Sequence, residues 1–183
     1  MTVKETALKG CFTIQPNVFE DKRGYFFESF NQGKFEEHIG IKIDFVQDNE
    51  SKSQKGVLRG LHFQIPPYAQ AKLVRVVQGE VLDVAVDLRK DSPTFGKHQS
   101  VLLSAKNKTQ FFMPRGFAHG FLVLSDTAIF SYKIDNVYAA DHDTGIIWND
   151  KDLNIDWQFE KEKLILSEKD KNLQSFKNFK SPF

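Results

Sequence analysis

Short apolar runs separated by turn residues recur along most of the chain. The runs are rich in Val, Ile and Phe, which favours strands over helices. Ten of them are predicted as strands, at residues 12–14, 24–30, 41–47, 56–64, 72–77, 80–88, 99–103, 109–113, 119–124 and 128–134. Many short strands joined by turns predict a mostly β domain, built as an antiparallel sandwich or jelly-roll barrel.

Helical signals are weak and lie outside the strand-rich core. Residues 32–38 predict one or two helical turns after Asn31, and Ser167 is a candidate N-cap for a helix that starts near Glu168. Both helices are expected to be short and peripheral. The polar tail, residues 171–183, is expected to be poorly ordered or to pack on a partner.

The run at 80–88 shows a clean alternation. Gln78 and Gly79 before it predict a tight hairpin turn. Within the run Asp83, Ala85 and Asp87 share one face, and Leu82, Val84, Val86 and Leu88 share the other. The polar face either lines a ligand cavity in a closed barrel or faces solvent.

Length, charge and cysteine content restrict the class of protein. A chain of 183 residues supports one well-buried core, so residues 1–183 are predicted as a single domain. The 25 basic and 24 acidic residues give no general attraction to nucleic acid. Cys11 is the single cysteine, which fits a reducing compartment. No apolar run suits a signal peptide or a membrane helix, so no membrane association and a cytoplasmic location are expected.

The segment from 56 to 80, GVLRGLHFQIPPYAQAKLVRVVQGE, carries the most functional information. It places Arg59, His62, Lys72 and Arg75 in otherwise apolar, strand-like sequence. A charge on a half-buried strand is costly unless another group compensates it, so this density of cations indicates an anionic ligand inside a barrel or sandwich. The alternative is a solvated strand face with one core histidine.

A second compact motif, MPRGFAHGF at 113–121, again places an arginine and a histidine among apolar residues. Together the two segments resemble the dTDP-4-dehydrorhamnose 3,5-epimerase family. The resemblance continues in family order through DKRGYFFESF (21–30), QDNESKS (47–53), VDLRKDSPTFG (86–96), SYKIDNVY (131–138), IIWNDKDLNIDW (146–157) and LSEKD (166–170). It implies a cupin-like jelly-roll barrel, a homodimer, and epimerisation of a dTDP-linked 4-keto-6-deoxy sugar without a cofactor.

Abstracting a proton next to a ketone needs a base of near-neutral pKa and a group that stabilises the enolate oxygen. His62 and Lys72 fit these two roles. The resemblance implies that His62 is the base and that Asp170 is its carboxylate partner, although Asp83 is a second candidate for that partner. It also places Tyr132 at the family's acid position, where the phenol either delivers a proton or hydrogen-bonds the enolate, unless it is a structural tyrosine.

Recognition of the nucleotide is the other half of the prediction. Bidentate guanidinium groups suit a diphosphate, which makes Arg23 and Arg59 the candidate clamps. The resemblance adds further substrate-binding residues: Glu28, Gln47, Asp48, Asn49, His119, Tyr138, Asp143 and Lys169. Of these, Tyr138 would stack on the thymine ring, and His119 is either a sugar contact or structural. The family usually carries an acidic and then a basic residue before Gly145, whereas this chain has Asp143 and Thr144.

The predicted reaction inverts carbon 3 and carbon 5 of dTDP-4-keto-6-deoxy-D-glucose and gives dTDP-4-keto-L-rhamnose. Alternatives within the superfamily are a single-site epimerase and a 4-keto isomerase, and a different class would be a non-catalytic sugar-nucleotide-binding module. A metal site would have to use His62, His119 and a carboxylate, and the neighbouring cations would repel a divalent ion. We therefore expect no metal. No dinucleotide-binding fingerprint is present either.

Overall fold

The computed structural model describes residues 1–183 and contains thirteen strands and two short α-helices. In chain order these are β1 (Thr2–Glu5), β2 (Phe12–Gln15), β3 (Val18–Asp21), β4 (Gly24–Phe27), α1 (Gln32–Ile39), β5 (Gln47–Gln54), β6 (Leu58–Gln64), β7 (Lys72–Gln78), β8 (Glu80–Asp87), β9 (His98–Ser104), β10 (Gln110–Met113), β11 (Phe117–Val123), β12 (Thr127–Ile134), β13 (Asp143–Gly145) and α2 (Glu168–Lys171). Neither helix is long and apolar enough to cross a lipid bilayer.

Two antiparallel sheets face each other across the main core. One has six strands in the order β1-β2-β10-β7-β12-β5, and the other has five in the order β13-β6-β11-β8-β9. Strands β3 and β4 form a separate hairpin. Between the sheets lies a cluster of buried aliphatic and aromatic side chains that includes Val74, Val81, Phe111, Phe121 and Phe130. The mostly β jelly roll with short peripheral helices that the sequence predicts is confirmed.

A second core covers the outer face of the five-stranded sheet. Leu82, Val84 and Val86 of β8 point into it, and Trp148 and Trp157 of the C-terminal part of the chain cover them. The opposite face of β8 carries Val81 and Ala85 into the main core. Both faces of β8 are therefore buried, and a solvent-facing strand is excluded.

The C-terminal tail closes this second core, so the prediction that it is poorly ordered is wrong. Its aromatic side chains recur every three or four residues and form one apolar face: Phe176, Phe179 and Phe183 all pack against the cluster. The rings of Phe179 and Phe183 lie 5.2 and 6.0 Å from that of Phe63 on β6. The regularly spaced phenylalanines hold the tail against the core, although the residues between them are polar.

Gln78 and Gly79 do form a turn, but the turn does not make a hairpin. Strand β7 before it belongs to the six-stranded sheet and β8 after it belongs to the five-stranded sheet. Gly79 has a φ of +79°, and a Cβ there would clash with the backbone of Thr127. The glycine therefore allows the chain to cross from one sheet to the other.

The predicted strand at 41–47 is wrong, whereas a strand that was not predicted follows it. Ile43 and Phe45 pack with Phe35 and Ile39 of α1 in a third cluster. The apolar side chains of this segment therefore pack against a helix and do not belong to a strand. Strand β5 begins at Gln47 and has no apolar residue. Its side chains alternate between half-buried and exposed along the edge of the six-stranded sheet.

The two predicted helices are confirmed, each with its cap. The Asn31 side chain accepts a hydrogen bond from the Lys34 backbone N–H at 3.1 Å at the start of α1. Ser167 caps α2 in the same manner, through the Asp170 backbone N–H. Strands β1, β3 and β13 are short additions that the pattern of apolar runs does not predict.

Candidate active site

A cavity of about 200 Å³ opens between the two sheets. Strands β5, β7 and β12 supply one wall and β6 and β11 supply the other. The lining residues are Glu50, Ser51, Arg59, His62, Lys72, His119, Phe121, Phe130 and Tyr132. Five predicted site residues thus meet in one place. A larger hollow of about 470 Å³ beside α1 carries no comparable cluster, and its Glu28 and Lys34 pair with each other.

His62 is bonded to a carboxylate from a distant part of the sequence. Its Nε2 lies 2.5 Å from Oδ1 of Asp170, which α2 carries against β6. Asp170 is 3% exposed, and the Gly60 backbone N–H also reaches its Oδ1 at 3.3 Å. Burial raises the pKa of Asp170, but the hydrogen bonds from His62 and Ser167 outweigh it, and the net shift is downward. The carboxylate is therefore ionised at neutral pH and holds the imidazole.

Asp83, the other candidate partner of His62, is bonded to a different histidine. Its Oδ2 lies 2.8 Å from Nε2 of His119, and both side chains are buried. The second oxygen, Oδ1, has no hydrogen-bond partner. The His119 ring also stacks on Phe130, with centroids 5.9 Å apart. This second histidine–carboxylate pair is thus packed into the wall of the cavity.

Glycines on neighbouring strands let the two histidines come together. His119 of β11 is in register with His62 of β6. Gly60 has a φ of +124°, and a Cβ there would lie 2.5 Å from the Cα of Gly120. Without side chains at these positions, β6 and β11 approach closely enough for the pairing to hold.

Lys72 projects from β7 into the same cavity. Burial lowers the pKa of its amine to about 8, against a smaller upward influence of Asp143 and Asp83. Both carboxylates influence the pKa of Lys72 only through their charge, without a hydrogen bond to its amine. The ammonium is still the main form at pH 7, and it is held in a site where water screens it poorly.

Tyr132 and Arg59 complete the cavity. Burial raises the pKa of the Tyr132 phenol further above neutrality, although Arg59 nearby lowers it, so the hydroxyl keeps its proton at pH 7. Arg59 donates from Nε and Nη2 to the hydroxyl of Ser53, at 3.2 and 3.1 Å. Because its partner is a neutral hydroxyl and not a carboxylate, the guanidinium charge is available to an anionic ligand.

Three further predicted residues form a polar group that acts on the cavity electrostatically. Lys169 Nζ lies 2.5 Å from Asp143 Oδ2, and the Tyr138 hydroxyl donates to the same oxygen at 3.1 Å. Asp143 raises the pKa of Tyr138, and it also influences the pKa values of Lys72 and Tyr132. The short Asp143 side chain is therefore held by two neighbours. Tyr138 is 59% exposed, which leaves its ring free for stacking.

The residues predicted on strand β5 fall on two different faces of the strand. Gln47 and Asn49 are half-buried and bonded to each other at 2.9 Å. Asp48 lies between them, is exposed, and pairs with Lys133. Alternate side chains of a strand point to opposite faces, so the structure places Asp48 on the other side from its neighbours.

Two other predicted substrate contacts lie away from the cavity of their own chain. Arg23 sits at the turn of the β3–β4 hairpin and pairs with Asp21 at 2.6 Å. Glu28 follows β4 and pairs with Lys34 at 2.8 Å. Neither residue lines the cavity that contains His62.

The structure also adds residues that sequence reasoning missed. Glu50 and Ser51 line the cavity, Ser53 holds Arg59, and Ser167 bonds Asp170. All of the first three lie in the polar run QDNESKS, but the sequence does not show which positions of that run reach the cavity. No three His, Cys, Asp or Glu side chains converge into a group that could hold a metal ion.

Comparison with known proteins adds a consistent set of relatives. A sequence model of the dTDP-4-dehydrorhamnose 3,5-epimerase family matches residues 5–178. The dTDP-4-dehydrorhamnose 3,5-epimerase of Shigella flexneri is 57% identical over 176 residues, which are 96% of each chain. A crystal structure of this enzyme from Elizabethkingia anophelis superposes with a TM-score of 0.93 at 57% identity and covers 97% of both chains.

A structure from Legionella pneumophila, a dTDP-6-deoxy-D-glucose-3,5-epimerase solved with dTDP-4-keto-L-rhamnose, has a TM-score of 0.94 at 46% identity. It covers 98% of this chain and 94% of its own. These solved relatives share the cupin-like arrangement of two antiparallel sheets. The similarity therefore extends over the whole barrel, including both walls of the cavity.

Proposed function

The chain belongs to the dTDP-4-dehydrorhamnose 3,5-epimerase family and is an epimerase, and from this we propose that it converts dTDP-4-keto-6-deoxy-D-glucose to dTDP-4-keto-L-rhamnose without a cofactor. One observation carries the proposal. A single cavity holds a histidine bonded to a buried carboxylate, a half-buried lysine and a protonated phenol. These are the groups that proton removal and return beside a ketone require.

His62 is the proposed base. The ionised Asp170 bonds its Nε2, which fixes the proton on that nitrogen and leaves the lone pair on Nδ1. Nδ1 then takes the proton from the carbon next to the ketone. The carboxylate stabilises the imidazolium that results, as in other histidine–carboxylate pairs.

Lys72 is the proposed partner of the enolate. When the proton leaves, negative charge develops on the oxygen of the ketone at carbon 4. An ammonium that is already desolvated stabilises this charge without having to reorganise a water shell. Because the same ketone acidifies carbon 3 and carbon 5, one base and one enolate site serve both inversions.

Tyr132 is the proposed acid. It belongs to β12 of the six-stranded sheet, whereas His62 belongs to β6 of the five-stranded sheet. The two side chains therefore approach the cavity from opposite walls. Inversion requires a base and an acid on opposite sides, because a proton leaves one face of the sugar ring and another arrives on the other face.

The remaining cations suit the nucleotide diphosphate. Arg59 has a guanidinium that is not neutralised by a carboxylate, so it is the proposed pyrophosphate clamp. Lys169, which pairs with Asp143, is the second cation proposed near the diphosphate. Tyr138 offers an exposed ring for the thymine base. Gln47 and Asn49 contact the nucleotide, and His119, oriented by Asp83, contacts the sugar.

We also propose a homodimer. The β3–β4 hairpin exposes Phe19, Tyr25 and Phe26 by 65%, 57% and 70%, a concentration of exposed rings that a second copy would cover. Since Arg23 and Glu28 lie away from the cavity of their own chain, their predicted substrate contacts are proposed to be made in the cavity of the partner. The proposal also keeps a cytoplasmic location, which a single, buried, unpaired cysteine supports.

Incubation with dTDP-4-keto-6-deoxy-D-glucose in heavy water, followed by NMR, tests the reaction. The proposal requires deuterium at carbon 3 and carbon 5 and a product of L-rhamno configuration. Deuterium at one carbon alone would indicate a single-site epimerase, and no exchange would indicate a binding module. The same assay after exhaustive chelation tests the absence of a metal, because loss of activity with recovery on adding one divalent ion would refute it.

A further inference from the structure

Ser167 makes two hydrogen bonds to one residue, and that residue is the partner of His62. Its hydroxyl oxygen accepts the Asp170 backbone N–H at 3.1 Å, which caps α2. Its hydroxyl proton is donated to Oδ2 of the Asp170 carboxylate at 2.6 Å. The spacing is that of a capping box, with the acidic residue three positions after the serine.

The two oxygens of Asp170 have different partners. Oδ1 meets Nε2 of His62 at 2.5 Å and the Gly60 backbone N–H at 3.3 Å. Oδ2 has the Ser167 hydroxyl as its hydrogen-bond donor. Asp170 is 3% exposed, so a carboxylate oxygen that lost this donor would be left poorly solvated. The Ser167 hydroxyl therefore holds the plane of the Asp170 carboxylate and favours its ionised form.

We propose that Ser167 is a positioning residue of this epimerase, which acts on the His62 base through Asp170. The inference rests on the proposed function, because it assumes that His62 removes the proton. Ser167 does not line the cavity. It should therefore affect the rate of proton transfer and leave substrate affinity unchanged.

The pH dependence follows from the groups around the pair. On the cavity side His62 is accompanied by Glu50 of β5, Arg59 of β6, Lys72 of β7, His119 of β11 and Tyr132 of β12, and none of them changes in the variants below. Removing the hydroxyl leaves the ionised carboxylate less stabilised. The loss is felt most when His62 is neutral, because the imidazolium compensates the charge when it is present. His62 should then hold its proton to higher pH.

Ser167→Ala should lower kcat about tenfold, the effect of losing one hydrogen bond to a charged group, with KM nearly unchanged. The acid limb of the kcat/KM profile should move to higher pH. Ser167→Thr keeps the hydroxyl and should restore both quantities. Ser175→Ala is the matched control, because Ser175 precedes the next helical turn and makes no side-chain cap.

Ser167→Asp separates positioning from capping. Aspartate is a good N-cap and would still accept the Asp170 N–H, but it places an acceptor where Oδ2 needs a donor. If Ser167 only caps α2, this variant should be as active as the wild type. If it positions the carboxylate, this variant should be less active than Ser167→Ala. Full activity in Ser167→Asp would overturn the inference.

NMR titration of ¹⁵N-labelled histidine in the free enzyme supplies a reading that does not depend on turnover. The inference requires the His62 resonances to titrate at higher pH in Ser167→Ala than in the wild type and Ser175→Ala. Unchanged His62 titration and kcat in Ser167→Ala would refute it while leaving the proposed function intact. Full activity in a His62→Asn variant would refute His62 as the base, and with it the role of Ser167. The proposed function itself would fail only if the wild-type enzyme showed no deuterium exchange at carbon 3 and carbon 5.

Discussion

His62 and His119 lie opposite each other on neighbouring strands, yet each binds a different carboxylate through Nε2. Asp170 holds His62 at 2.5 Å and Asp83 holds His119 at 2.8 Å. Their side chains are 28% and 9% exposed, respectively. His62 is the more accessible of the two, whereas His119 is packed against phenylalanine. The same pair of residue types thus occurs once in an accessible and once in a packed setting, which fits the proton transfer proposed for His62 and the sugar contact proposed for His119.

Replacing His62 should separate chemistry from binding. His62→Ala should abolish deuterium exchange at both carbons, because the base is gone, while dTDP affinity measured by calorimetry stays close to that of the wild type. His119→Ala is the matched comparison and should retain measurable exchange with weaker substrate binding. Exchange at the wild-type rate in His62→Ala would remove His62 from the mechanism.

The low pKa of Lys72 predicts the alkaline limit of activity. Since the ammonium is lost as pH rises through about 8, kcat/KM should fall above that pH. Lys72→Arg keeps a charge throughout this range, so its profile should lack this limb even if its activity is low. A wild-type profile that stays flat to pH 10 would contradict the lowered pKa of Lys72.

The same lysine should lower the free energy of unfolding at neutral pH. Its pKa in the folded chain, about 8, is below the model-compound value of 10.5, so burying the charge disfavours folding below pH 8. This penalty is relieved as pH rises from 8 to 10.5, where only the unfolded chain holds the proton. Lys72→Met should therefore be inactive yet more stable at pH 7, by on the order of 1 kcal/mol. Denaturant unfolding should show the difference shrinking toward pH 10.5.

Arg59→Ala should mainly raise KM. A charge-assisted hydrogen bond to the diphosphate contributes about 1.5–3 kcal/mol, which corresponds to roughly ten- to hundredfold. Arg115→Ala is the control, because Arg115 is an exposed arginine that pairs with Asp135 and does not line the cavity. Steady-state kinetics that gave both variants the same KM would place the diphosphate elsewhere.

Tyr132→Phe removes one hydroxyl and keeps the ring. If Tyr132 delivers the proton opposite His62, the enolate still forms but regains its proton from the face it left. NMR in heavy water should then show exchange with retained configuration, and product formation should fall by about 10²- to 10⁴-fold. If the phenol instead hydrogen-bonds the enolate, exchange and inversion should fall together. Unchanged values for both would make Tyr132 a structural residue.

Light scattering should give twice the chain mass for the wild type at micromolar concentration. Phe26→Asp puts a charge on the exposed hairpin and should shift the protein toward monomer, with loss of substrate affinity if Arg23 acts in the partner. Leu102→Asp changes an exposed apolar residue on β9 and should remain dimeric. A wild-type protein with the mass of one chain would refute the proposed assembly.

Much of the barrel could be predicted from the sequence because its core strands carry apolar residues in short runs. Strand β5 escaped that reasoning, since its half-buried side chains face a polar cavity. The contact between Asp170 and His62 joins residues 108 positions apart. Local pattern cannot show that α2 packs on β6, so this pair depended on family resemblance. Arg23 was predicted as a substrate contact because a bidentate guanidinium suits a diphosphate, and no local signal placed it away from the cavity of its own chain.

Strand β5 also has a free side, because it ends the six-stranded sheet. Unpaired backbone groups on such a strand invite another chain to add to the sheet and start aggregation. The residues exposed along β5 are Asp48, Glu50, Lys52 and Gln54, all polar and most of them charged. Such residues oppose uncontrolled strand addition. Replacing them by apolar residues would therefore endanger solubility even at positions that make no contact with substrate.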